Sequence, residues 1–66
     1  MLYRLETVNE QKLISAYSVR VIQEIINDYE GNEPLVVHAF ITEKDIIPHK
    51  SWDTKSFEQW TKYMLQ

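Results

Sequence analysis

A chain of 66 residues with no cysteine and 44% apolar residues makes one domain, spanning 1–66, whose stability no disulfide supports. His38 and His49 are its only nitrogen ligands, too few for a closed zinc site, so oligomerisation or docking on a larger protein is the expected source of extra stability. The net charge of −3, with six acidic against three basic groups in residues 1–33, argues against non-specific nucleic-acid binding, and no apolar run approaches a membrane span.

In chain order, Leu2 and Leu5 fall off the apolar phase of the segment after them, and Met1 to Glu6 is read as a short strand. From Thr7 to Tyr29 the pattern predicts one long amphipathic helix. Ile14, Tyr17, Val21, Ile22, Ile25, Ile26 and Tyr29 gather on one side at 100° per residue, and Lys12, Arg20, Gln23, Glu24 and Asn27 occupy the other. Thr7 and Glu10 have capping-box spacing at its start. Gly31, the single glycine, suits a left-handed stop, with Pro34 just beyond.

Leu35 to Thr42 is rich in β-branched and aromatic residues and apolar on both alternating faces, the composition of a central strand. Glu43 to Asp45 breaks it, and Ile46 and Ile47 before Pro48 are read as a short edge strand. A final helix is expected from Asp53 or Thr54 to Leu65. It has a cap at its start, Glu58 and Lys62 in the favourable i,i+4 order, and Phe57, Trp60, Thr61 and Met64 on one face. The fold class is therefore α+β in the order β-α-β-β-α, a sheet of two or three strands packed against one long and one short helix, with no internal repeat.

Chemistry finds little purchase. None of Ser15, Ser18, Ser51 and Ser56 lies in a glycine-containing elbow, and one glycine cannot build a phosphate-cradling loop. His38 in its apolar strand would become a general base only with a carboxylate from Glu43 or Asp45 beside it, and it reads better as a structural residue. His49 after Pro48 reads as a loop residue. No enzyme, cofactor or metal is expected.

The expectation is a small non-enzymatic protein–protein interaction module, an adaptor, inhibitor or regulator of a larger protein, cytoplasmic and self-associating as a homodimer through the long helix or an edge strand. Trp52, Trp60 and Tyr63 are its candidate anchors, with Tyr17 and Tyr29 at the edges of the long helix, because Trp and Tyr dominate interface hot spots. The alternative is a nucleic-acid-associated regulator using the Trp52 to Lys62 segment, where Lys50, Lys55 and Lys62 interleave with Trp52, Trp60 and Tyr63.

Overall fold

The computed structural model describes residues 1–64. Its order is β1 (Leu2–Thr7), β2 (Lys12–Ala16), α1 (Val19–Asp28), β3 (Leu35–Phe40), β4 (Lys50–Asp53) and α2 (Thr54–Met64). The strands form one four-stranded sheet in the order β2-β1-β3-β4, every neighbouring pair antiparallel. The α+β class holds, and the sheet is larger than the two or three strands expected.

The main correction concerns Thr7 to Tyr29, which is not one helix. Its first ten residues are the end of β1, a turn and β2. Thr7 is buried as the last residue of β1, and its hydroxyl accepts a hydrogen bond from the Gln11 amide at 3.2 Å. Glu10 takes a left-handed backbone (φ 68°) and donates its amide to the Thr7 carbonyl at 2.9 Å. The Thr-x-x-Glu spacing that suggests a helix cap thus closes a hairpin. Ile14 and Ala16 pair with Leu5 and Tyr3 and pack inward. A residue at Ile14 satisfies a period of two as well as a period of 3.6, so the longer apolar run conceals the strand.

The true helix start is Ser18. Its backbone is extended (φ −91°, ψ 122°) and its hydroxyl accepts from the Val21 amide at 3.4 Å. At the other end Tyr29 is the C-cap, donating its amide to the Ile26 carbonyl at 3.2 Å. Gly31 does not take the left-handed conformation expected of it; the Tyr29 phenol ring lies where a Cβ on Gly31 would sit, so a larger residue there would have to displace that ring.

β3 is the expected central strand, two residues shorter than Leu35 to Thr42. Ile46 and Ile47 are not a strand. They sit in the connection 41–49, and the strand pairing with β3 is Lys50–Asp53, which places Trp52 beside Val37. The connection turns on itself, with the Asp45 amide donating to the Thr42 carbonyl (3.2 Å) and the Thr42 amide to an Asp45 carboxylate oxygen (3.1 Å). It rejoins the sheet where the His49 amide meets the Ala39 carbonyl at 2.8 Å. α2 begins where the sequence places it, the Asp53 carboxylate accepting from the Ser56 amide at 2.7 Å. The expected end of that helix at Leu65 lies outside the described residues.

The architecture repeats although the sequence does not. Each half is a β-hairpin followed by a helix packed over it, α1 on β1 and β2 and α2 on β3 and β4, with the antiparallel β1 and β3 meeting at the centre. Ser18 and Asp53 both accept the amide three residues on, and Ile22 and Phe57, each four residues after its cap, are both fully buried. Both helices cover one face of the sheet. Tyr3, Leu5, Leu35, Val37, Ala39 and Trp52 meet Ile22 and Phe57 there, with Leu5, Ile22, Val37 and Phe57 at 0% exposure.

Candidate interaction surfaces

The aromatic residues proposed from sequence separate into two groups. Trp52, brought under α2 by β4, is buried, and its ring centroid lies 4.8 Å from Trp60 and 5.3 Å from Phe57. Tyr3 closes the cluster at 6.1 Å from Phe57 and 6.3 Å from Trp60. Trp52 is therefore a core residue in this fold and offers no free face, and Trp60 is half-buried against the same core. Tyr29 is also half-buried, packed on the core and across Gly31. Tyr17 in the β2–α1 bend (66% exposed) and Tyr63 on α2 (81%) stand in solvent.

The two large apolar side chains with the highest fractional exposure are not among those candidates. Ile46 and Ile47 are 92% and 82% exposed, and Ile41 at the start of the same connection is 59% exposed. Ile46 and Ile47 make no ladder pairing, and the strand that completes the sheet begins only at Lys50. The polar Glu43 to Asp45 turn and Pro48 on either side are the available signal of a loop.

The lysine-rich segment is partly engaged. The Lys50 ammonium lies 5.1 Å from the centre of the Trp52 ring, and Lys62 pairs loosely with Glu58 at 3.6 Å across an exposed helix face. With Trp52 inside the core and Trp60 half-buried, Tyr63 is an exposed aromatic ring of this segment.

The uncovered face of the sheet carries a line of polar side chains across three strands. His38 Nε2 is 3.1 Å from Glu6 Oε2 and Nδ1 is 2.6 Å from Ser51 Oγ, so a neutral imidazole protonated at Nε2 donates to Glu6 and accepts from Ser51. Antiparallel register produces this line, since His38 stands opposite both Arg4 and Ser51. The carboxylate is Glu6 and neither Glu43 nor Asp45. Arg4 lies beside it, its guanidinium 4.7 Å from the Phe40 ring centre and its buried Nε without a hydrogen-bond partner.

A serine–histidine–carboxylate order resembles nucleophilic machinery. Acyl transfer also needs donors aimed at the developing oxyanion, and Ser51 stands on the edge strand β4 while its histidine and carboxylate partners stand on the inner strands β3 and β1. The line ties β1, β3 and β4 together. Among the described residues no group of three or more His, Asp or Glu is placed to hold a metal ion, and no helix is long and apolar enough to cross a membrane. Comparison with protein-family models, curated proteins and solved structures yields no match to this chain.

Proposed function

We propose that this chain is a small non-enzymatic protein–protein interaction module, an adaptor or inhibitor that acts in the cytoplasm by occupying an apolar cleft on a larger protein, and that it also self-associates. The observation that carries this reading is the pair Ile46 and Ile47, at 92% and 82% exposure, on a connection tied down at both ends. Burying an isoleucine side chain contributes about 1.5 to 3 kcal/mol, so a partner gains what the fold leaves unused. Tyr17 and Tyr63 are further exposed anchors, amphipathic and with little rotamer entropy to lose.

Photo-crosslinking in the source cells tests it. A photoreactive residue at Ile47 is expected to give one dominant protein adduct that the same residue at Glu43, in the polar part of the connection, does not give. Indistinguishable adduct patterns at the two positions would refute the assignment.

A further inference from the structure

We propose that two copies of this chain pair through the free edge of β2, antiparallel and across a two-fold axis, joining their sheets into one. The proposal rests on the self-association argued above and names the surface that carries it. β2 borders the sheet, so alternate N–H and C=O groups along it point away from β1. The opposite edge is better guarded, because β4 is four residues long with a charge at each end, Lys50 and Asp53. β2 carries a charge only at Lys12 and contains no proline, and its one irregularity, a register shift against β1, is confined to the Lys12–Leu13 end and leaves Ile14 to Ala16 regularly paired.

Apolar residues flank this edge. Leu13 in the strand is 36% exposed, Tyr17 immediately after it 66%, and Val21 on α1 37%. Gln23 and Asn27 line the cleft between α1 and α2, and Val21 lies on nearly the opposite side of α1, towards the β2 border. Pairing therefore covers a rim of strand and helix together.

The occupant is a second copy because the charges complement themselves. With the axis near Ile14, Ile14 meets Ile14 of the other copy, and Ser15 and Ala16 run beside the bulged Lys12–Leu13 stretch, so Lys12, the one charge of the strand, meets no like charge along it. α1 begins after a tight bend at the end of β2, with Arg20, Glu24 and Asp28 on one i,i+4 row, basic first and acidic last. An antiparallel two-fold brings Arg20 of each copy to the level of Asp28 of the other, and a parallel arrangement would set Arg20 against Arg20.

Sedimentation equilibrium of the full chain at micromolar concentration, with circular dichroism confirming the fold of each variant, decides the matter. The wild type is expected at twice the chain mass. Leu13→Lys combined with Ser15→Lys is expected to be monomeric. Arg20→Glu and Asp28→Arg, both at exposed helix positions, are each expected to weaken the dimer about threefold to tenfold, and the chain carrying both to recover it, because the exchange restores both pairs. A monomeric wild type overturns self-association and this proposal with it. A dimer that ignores all these changes, or that is lost only on Ile46→Asp with Ile47→Asp, overturns the β2 edge while leaving self-association standing.

Discussion

Phe57 and Ile47 are large apolar side chains in opposite circumstances, one at 0% and one at 82% exposure. Phe57 contacts Tyr3, Trp52 and Trp60 at 5.3 to 6.1 Å between ring centres, joining helix and sheet in one cluster. Truncating such a ring costs about 3 to 5 kcal/mol, a large part of the stability of a domain this small. Phe57→Ala is therefore expected to leave the chain largely unfolded at 37 °C. Ile47→Asp is expected to change the unfolding free energy by less than about 0.5 kcal/mol, since the side chain meets almost nothing. Urea titration monitored by tryptophan fluorescence measures both. An Ile47→Asp chain as unstable as Phe57→Ala would show that this isoleucine belongs to the core.

The helices depend on their first turns. The Asp53 carboxyl is held below its ordinary value, first by the hydrogen bond from the Ser56 amide and then by the Ser56 hydroxyl, with desolvation opposing them and the Lys55 charge contributing least. A carboxyl lowered by folding adds stability that is full above its unfolded value, near 3.8, and is lost as pH falls through the folded value. Asp53→Asn keeps a good cap and removes the titration. The difference in stability between wild type and this variant is thus expected to be constant above pH 5 and to shift against the wild type on acidification below it. Urea midpoints from pH 2 to 7 check it, and a difference that does not vary with pH would show that the cap is not formed.

How much of each element is legible in the sequence depends on how many signals agree. The start of α2 is legible to within a residue because composition, phase and an aspartate cap all coincide. β3 is legible because Leu35 to Phe40 is dense in β-branched and aromatic residues, as its place inside the sheet requires. β2 is not, because Ile14 and Tyr17 continue the α1 phase backwards and Thr7 and Glu10 imitate a cap. Tertiary pairing with β1 decides between the two readings, and no local signal records that pairing.

At the scale of the whole molecule, two hairpin-and-helix units share a sheet, and their likeness is one of geometry. Ser18 corresponds to Asp53 and Ile22 to Phe57, yet few residues are shared, so no sequence repeat is visible. The connection 8–11 inside the first hairpin is short, while 41–49 inside the second is long enough to carry Ile41, Ile46 and Ile47 outward. The same difference limits how far the candidate site is legible. Residue type alone favours tryptophans as anchors, but the β4 pairing sends Trp52 into the core, and three of the apolar side chains left exposed are isoleucines of the longer connection. Tyr17 and Tyr63 stand in solvent, where an anchor for a partner has to stand.

The isoleucines of the 41–49 connection are proposed to serve a partner and not the fold. Quantitative affinity capture from the source cells, comparing wild type with the Ile46→Asp, Ile47→Asp chain at matched stability, tests it most directly. At least one protein is expected to be enriched by the wild type and reduced tenfold or more by the variant, since withdrawing one buried isoleucine already forfeits about 1.5 to 3 kcal/mol. Equal recovery of every captured protein by both chains would contradict the account.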